Sequence, residues 1–153
     1  MTTGSAPADD DRAATPEDSS PGAGAPELEM ILLRQLTSYL ATPMFIVDPD
    51  GTLVYFNEPA EEILGRPFDA TEPMTLEDWA GAFRPLTVDG GPLVPDELPL
   101  VQAVRRGRPA QMDFRITGLD GAPRALAVTA FPLIGLHDRH LGAVAIFWEQ
   151  PAR

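Results

Sequence analysis

The chain has 153 residues, of which 44% are hydrophobic and 22% are charged, and its formal net charge is −12 at pH 7. This length suits one domain with a packed core. Nucleic acid and anionic membranes are not expected as partners, because both present phosphate groups that repel an acidic chain. Cysteine is absent, which excludes disulfides and thiolate ligands. The sequence has no apolar run of about 20 residues and no signal peptide, which predicts a cytoplasmic protein.

The first 25 residues are small or polar after Met1 and include the acidic runs Asp9-Asp10-Asp11 and Glu17-Asp18. A segment without large apolar side chains cannot offset the entropy that it loses on ordering. Residues 1–25 are therefore predicted to be a disordered acidic tail. The alternative interpretation is a tail that binds a partner.

Residues 26–42 have the apolar spacing of a helix, which ends at Thr42-Pro43 because a residue before proline avoids the helical conformation. The apolar arc is too wide for a helix lying alone on a surface, which predicts packing on its own sheet or on a second chain. Both interpretations, cover and dimer interface, stay open at this point. The apolar stripe consists of Leu28, Leu32, Leu36 and Leu40, with Leu33 beside it.

The pattern then changes to that of a hairpin followed by a short helix. Residues 44–47 and 52–56 have the composition of strands, and Asp48-Pro49-Asp50-Gly51 between them has the chemistry of a turn. Asn57 is placed to cap a helix that ends at Gly65.

Two more short helices are predicted in the middle of the chain. Thr75 and Asp78 form a variant capping box for a helix that runs through Ala82. After a loop rich in glycine and proline, Asp96 is placed to cap a helix over Glu97–Arg106.

A basic cluster, Arg105, Arg106 and Arg108, stands at the C-terminal end of the last of these helices. Cations at that position interact favourably with the helix dipole. The alternative interpretation is a contact with an anion or with a partner.

The last third of the chain predicts three strands, over residues 111–116, 125–133 and 141–149. The loop 135–140 between the last two contains both histidines. The order of helix, two strands, short helices and three strands predicts an α+β fold. Its five-stranded antiparallel sheet has the short helices on one face and the N-terminal helix on the other.

The chain resembles a PAS domain over about residues 38–149, which assigns residues 43–150 to such a domain. In that family a strand ends in aspartate, a glycine turn follows, and an asparagine begins a helix. Two later segments are similar to the connecting-helix region and the last hairpin of PAS modules in bacterial sensor kinases. The motifs that carry the resemblance are Ile46-Val47-Asp48-Pro49-Asp50-Gly51, Asn57-Glu58-Pro59-Ala60-Glu61-Glu62-Ile63-Leu64-Gly65, Asp89-Gly90-Gly91-Pro92-Leu93 and Phe131-Pro132-Leu133.

The resemblance implies a cavity between the sheet and the short helices. Every residue predicted to line it is hydrocarbon, so it offers no donors to a polar ligand. Three of these residues are alanines on adjacent strands, which either fit the taper of the sheet or leave room for a small apolar ligand such as an acyl chain. The predicted lining is Phe45, Val47, Val54, Phe56, Phe114, Ile116, Leu126, Val128, Ala130, Ala143, Ala145 and Phe147.

No cofactor, metal or catalytic activity is predicted. Haem-binding relatives usually offer a histidine from the long connecting helix, and residues 97–106 contain none. A cysteinyl flavin needs a cysteine, and His137 and His140 are too few ligands for zinc. The clustered carboxylates suit a turn and the first turns of a helix rather than a catalytic constellation. They are Asp48, Asp50, Glu58, Glu61 and Glu62.

The sequence thus predicts a standalone PAS sensory and protein-interaction module of bacterial signal transduction, with a signalling effector as a partner in trans. The family often ends in an aspartate, an aliphatic residue and threonine that couple to an effector. Trp148-Glu149-Gln150 stands there instead, so output requires a partner chain unless the sequence is a fragment. The alternative function is binding of a small apolar ligand. The predicted dimer or cover interface is Leu28, Leu32, Leu33, Leu36, Leu40, Val144, Ile146 and Trp148.

Overall fold

A computed structural model of the chain describes residue 4, residues 25–69 and residues 72–151. The predicted tail lies outside these residues apart from Gly4 and Ala25. The described residues form four α-helices, five β-strands and two short 3-10 turns. The helices are α1 (Ala25–Ser38), α2 (Glu58–Leu64), α3 (Leu76–Phe83) and α4 (Pro99–Arg106), and the strands are β1 (Met44–Val47), β2 (Leu53–Phe56), β3 (Ala110–Thr117), β4 (Pro123–Ile134) and β5 (His140–Glu149).

The five strands make one antiparallel sheet in the order β2-β1-β5-β4-β3. The last strand of the chain therefore inserts beside the first, and Phe45 pairs with Ala145 at the centre of the sheet. This arrangement confirms the predicted α+β fold.

Apolar side chains fill both faces of the sheet. On the inner face, α2, α3 and α4 pack against the strands and enclose the larger core. On the outer face a smaller cluster forms around Met44, Ile46 and Val144, and Met30 and Leu33 of α1 pack on it. The N-terminal helix therefore covers part of the outer face, as predicted.

The predicted helix caps of α2 and α3 are confirmed. The side chain of Asn57 accepts a hydrogen bond from the Ala60 N–H, and Gly65 ends α2 in the left-handed conformation. Thr75 and Asp78 form a reciprocal capping box at the start of α3. Each of these signals lies within one helical turn of sequence, so it does not depend on the rest of the fold.

The start of α4 differs from the prediction. A 3-10 turn covers Pro95–Glu97, and α4 begins only at Pro99. Leu98 is the N-cap with ψ of 137°, because the ring of a following proline keeps a residue out of the helical region. Asp96 does not cap the helix and instead pairs with Arg105.

A register shift between β1 and β2 corrects one of the predicted core positions. Ile46 pairs with Tyr55 but Val47 pairs with Leu53, so Val54 is the extra residue of a bulge. Leu53 is therefore buried on the inner side, and Val54 packs in the outer cluster. A bulge interrupts the strict alternation on which the prediction rested.

Candidate functional site

A small cavity of about 70 Å³ lies between the inner face of the sheet and the helices α3 and α4. Its sheet side consists of seven residues from the predicted lining. Its helical side is made by residues of α2, α3 and α4 and of the loops between them. The lining residues are Phe45, Phe114, Ile116, Leu126, Val128, Ala145 and Phe147 from the sheet and Leu64, Trp79, Ala80, Phe83, Pro85, Leu98, Pro99 and Leu100 from the other side.

Four more residues of the predicted set, Val47, Phe56, Ala130 and Ala143, belong to the inner core but do not line the cavity. Two of the three alanines are therefore packed against neighbours and leave no space. Only Ala145 borders the cavity, so the interpretation that small residues fit the taper of the sheet describes Ala130 and Ala143.

The helical side of the cavity was not predicted from the sequence. Trp79 and Leu98 lie in the segments that were predicted as short helices, but the spacing of one helix does not show which strand it faces. The only signal available was their apolar character. An aromatic group assembles here, in which Phe45 stacks on Phe56 and meets Trp79 and Phe83 edge-on, with ring centroids 5.4 to 6.5 Å apart.

The cavity offers apolar contact and no free polar group. The one polar atom among the lining side chains, Nε1 of Trp79, already donates a hydrogen bond to the Gly51 carbonyl at 2.8 Å. Pockets for drug-sized ligands enclose about 300–1,000 Å³, so 70 Å³ leaves room for only a few atoms. In the described part of the chain, no group of three or more histidine and carboxylate side chains is placed to hold a metal ion.

A pair of valine substitutions on β5 tests whether this space is present in solution. Ala145→Val places two methyl groups at the cavity, and we expect the free energy of unfolding to rise by up to about 1 kcal/mol. Ala143→Val, on the same strand and face but away from the cavity, overfills the core and should cost about 1–3 kcal/mol. Urea denaturation of both variants measures the difference. An equal loss of stability in both would show that the space beside Ala145 is already filled.

The second candidate site is the outer layer, where α1 is attached to the sheet by three kinds of contact. Met30 and Leu33 pack on the outer apolar cluster. The guanidinium of Arg34 lies 5.1 Å from the ring centroid of Tyr55 and 5.7 Å from that of Phe68, which are cation–π distances. The Thr37 carbonyl accepts a hydrogen bond from the Asn57 side chain at 3.0 Å.

Tyr55, which contacts Arg34, is partly buried, and this burial affects the pKa of its hydroxyl. Burial raises the pKa of Tyr55, and the opposing effect of Arg34 is smaller. Tyr55 therefore stays neutral around pH 7 beside the guanidinium.

The remaining side of α1 is apolar and exposed, so four residues of the leucine stripe do not take the predicted cover role, and their role as a dimer interface stays a prediction. The side of α1 that faces the sheet has Met30, Leu33 and Thr37, spaced by three and four, and Arg34 lies over Tyr55 beside them. Four of the five predicted contact residues of the N-terminal segment do not cover the sheet, because the bond between Asn57 and Thr37 and the packing of Leu33 set a different rotation of the helix. These exposed residues are Leu28, Leu32, Leu36 and Leu40, and Ile31 and Tyr39 are exposed with them.

The sheet residues of the predicted interface divide in the same way. Val144 is buried under α1, Ile146 is half-buried beside it, and Trp148 is exposed further along β5. Trp148 pairs across the strands with Ala127, and Ile146 with Thr129. The outer face of β5 thus becomes more exposed along the strand, from Val144 through Ile146 to Trp148.

Comparison with known proteins gives the family of this fold. A family model described as the PAS fold matches residues 40–150. No curated protein matches the chain in sequence. With more than half of its length matched and the strand order described above, the chain belongs to the PAS family.

Solved structures agree with this assignment. The PAS domain of the nitrogen regulation protein NR(II) from Vibrio parahaemolyticus is 19% identical with a TM-score of 0.54, over 78% of this chain and 98% of that one. The PAS domain of BvgS from Bordetella pertussis is 18% identical with a TM-score of 0.55, over 82% and 88%. A LOV protein from Rhodobacter sphaeroides is 16% identical with a TM-score of 0.64, over 81% and 68%. At these identities the likeness shows the fold alone.

The chain is therefore a PAS domain, and its fold is like that of PAS domains from bacterial signalling proteins. PAS domains are typically sensor modules that do not catalyse a reaction. Among the described helices, none has both the length and the apolar character needed to cross a bilayer.

Proposed function

We propose that this chain is a sensory and protein-interaction module of bacterial signal transduction that forms a homodimer through α1 and acts on an effector protein in trans. The observation that carries the proposal is the exposed apolar side of α1. Leu28, Ile31, Leu32 and Leu36 are each 54–60% exposed on one short helix. Isolated apolar residues on a surface need no explanation, but a contiguous group of this kind is typical of an interaction site.

The energetic argument follows from the size of these side chains. Complete burial of a leucine or isoleucine contributes about 1.5–3 kcal/mol relative to full exposure. Burial of the exposed part of these four side chains by a partner would therefore contribute several kcal/mol to the free energy of binding. By contrast, the described apolar side chains that α1 packs on the outer cluster of the sheet are Met30 and Leu33.

A second copy of the chain is the partner that fits best, because the exposed apolar residues lie on two different elements that can pair with each other between copies. The first is the ridge of leucines on α1, and the second is the outer face of β5 with Ile146 and Trp148. A two-fold axis can place the helix of each copy over the outer face of β5 in the other, which is the self-complementary arrangement of most dimers. Antiparallel helices also keep the acidic ends, with Glu27 and Glu29, away from each other.

The dimer is tested by paired glutamine substitutions in the full chain. Leu28→Gln with Leu32→Gln removes two side chains that are 56% and 54% exposed. We expect the dimer mass seen by multi-angle light scattering to fall to the monomer mass, with the free energy of unfolding of the monomer nearly unchanged. Val88→Gln with Val94→Gln is the matched control, because these valines are 54% and 56% exposed and lie far from α1 in the sequence.

The control variant should keep the dimer mass of the unmodified chain. A monomer for the unmodified chain, or a dimer that survives the two α1 substitutions, would contradict pairing through this helix.

The effector is proposed to be a protein in the cytoplasm. The chain's net charge of −12 favours a protein partner over nucleic acid. It also opposes docking on anionic lipid.

A second function, the binding of a small apolar ligand, rests on the cavity beside Ala145. Its volume of about 70 Å³ is about half that of an engineered 150 Å³ cavity that binds benzene. A ligand of a few carbon atoms is therefore compatible with it, whereas an acyl chain would require the helices to move. Native mass spectrometry of freshly purified protein distinguishes the cases, since a retained lipid would add mass to the chain.

A further inference from the structure

Two short basic segments meet at one end of the sheet. The first is residues 105–108, at the C-terminal end of α4, and the second is residues 136–140, which include the turn after β4 and the first residue of β5. Together they contain four arginines, both histidines and one aspartate. A Cβ atom placed on Gly107 would lie 3.5 Å from Cε1 of His140, so the two segments touch. They are termed the basic corner below.

Two of these arginines form no ion pair within the described part of the chain. Arg105 pairs with Asp96, but Arg106 and Arg108 are exposed and form no ion pair with the residues that the structure describes. Arg105 and Arg106 lie in the last turn of α4, where their charges interact favourably with the helix dipole. Arg108 follows Gly107, the C-cap residue, and so lies beyond the helix. A cationic cluster on a strongly acidic chain attracts anionic groups.

The N-terminal residues enter the described structure beside this corner. α1 begins at Ala25, and one turn later the carboxylate of Glu29 lies against Gly135, where any side chain would collide with it. A side chain at Gly135 would also meet Leu141, which follows His140. The start of α1 and the loop of the basic corner are therefore neighbours at the same end of the sheet.

The segment that precedes Ala25 has the opposite charge. Residues 5–24 contain five carboxylates and one arginine, a net charge of −4 from +1 and −5. Asp18 stands seven residues before Ala25, which is at most about 25 Å of extended chain. Because the segment is tethered, its concentration at the corner is of millimolar order without any free partner.

We infer that the acidic segment 9–18 binds the basic corner of its own chain. Its carboxylates meet the guanidinium groups of Arg106 and Arg108, and the bound segment crosses the end of the sheet next to the first turn of α1.

A paramagnetic label tests this contact, because the chain has no cysteine of its own and Ala14→Cys gives a single attachment point. The labelled, nitrogen-15-enriched full chain is diluted into an excess of unlabelled chain, so that only broadening within one chain is seen. At low salt we expect loss of amide signal at residues 105–108 and 136–140. In 0.5 M NaCl, where the screening length is roughly 4 Å, that loss should disappear.

Two double variants complete the test. Arg106→Gln with Arg108→Gln should restore the amide signals of the corner at low salt. Arg84→Gln with Arg115→Gln should leave the broadening unchanged, since both arginines are exposed but lie outside the corner. Broadening that is absent, that survives salt, or that is indifferent to Arg106 and Arg108 would overturn the inference.

Discussion

Asn57→Ala is expected to lower the free energy of unfolding by about 3–4 kcal/mol, the largest loss we predict for an uncharged polar side chain in this domain. Asn57 is fully buried. Its oxygen accepts from the Met44 N–H at 2.9 Å and from the Ala60 N–H at 3.3 Å. Its amide donates to the carbonyls of Thr37 at 3.0 Å and Thr42 at 2.8 Å. One side chain thus connects α1, the loop after it, β1 and α2.

The expected loss has three parts. Removal of the N-cap costs about 1 kcal/mol. The buried Met44 N–H and the Thr42 carbonyl lose their partners, at about 1–3 kcal/mol for each group left unsatisfied, with water access reducing the sum. The Thr37 carbonyl keeps the Leu40 N–H at 3.2 Å and contributes less.

Urea denaturation measures the loss, and Thr75→Ala is the matched control. Thr75 caps α3 through its contact with the Asp78 N–H, but it is exposed and joins no other element. We therefore expect it to cost about 1 kcal/mol. Similar losses in the two variants would mean that Asn57 acts only as a cap and that its bonds to the segment around α1 add nothing.

Gly142→Ala is expected to cost more than about 3 kcal/mol, because two penalties coincide in the middle of the sheet. Gly142 has φ of 130°, a conformation that residues with a side chain rarely adopt. A Cβ atom there would also run into the backbone carbonyl of Val47. β5 would have to move away from β1, which would disturb the pairing that joins the first and last strands.

Gly121→Ala separates these penalties. Gly121 has φ of 83° but no atom within 4 Å of an added Cβ, so only the backbone term of about 1–2 kcal/mol applies. The free energies of unfolding of the two variants are compared in urea. If Gly142→Ala were no worse than Gly121→Ala, the close approach of β5 to Val47 would be contradicted.

The elements that the sequence predicted well are those whose signals are local. The capping box at Thr75 and Asp78 and the turn Asp48-Pro49-Asp50-Gly51 each lie within four residues, and the structure forms both. The inward face of the strands was also predictable, because alternation along a strand follows from its backbone.

The features that were missed depend on contacts between distant segments. Val54 points outward because of a bulge that exists only when β2 pairs with β1. The sequence pattern around Asp96 is that of an N-cap, but α4 begins only at Pro99, and the Asp96 carboxylate forms an ion pair with Arg105. Neither outcome is visible in a window of one helical turn.

The rotation of α1 is the clearest case for the candidate site. Both sides of the helix are apolar, so its spacing alone could not decide which side faces the sheet. The decision rests on Asn57, 20 residues away from Thr37, and on the fit of Leu33 against the outer cluster. As a result, the leucine stripe that was predicted as a contact surface is exposed in one copy. It can therefore contact another molecule, and it does not pack on the sheet of its own chain.

Intermolecular contacts within a mixed sample test the central claim most directly. Full-length chain labelled with carbon-13 is mixed with an equal amount of unlabelled chain, and isotope-filtered nuclear Overhauser spectra record only contacts between copies. We predict contacts from the methyl groups of Leu28, Leu32 and Leu36 to the partner's α1 and outer sheet face. Spectra without such contacts at concentrations where the chain is a dimer, or contacts confined to other surfaces, would contradict the proposed role of α1.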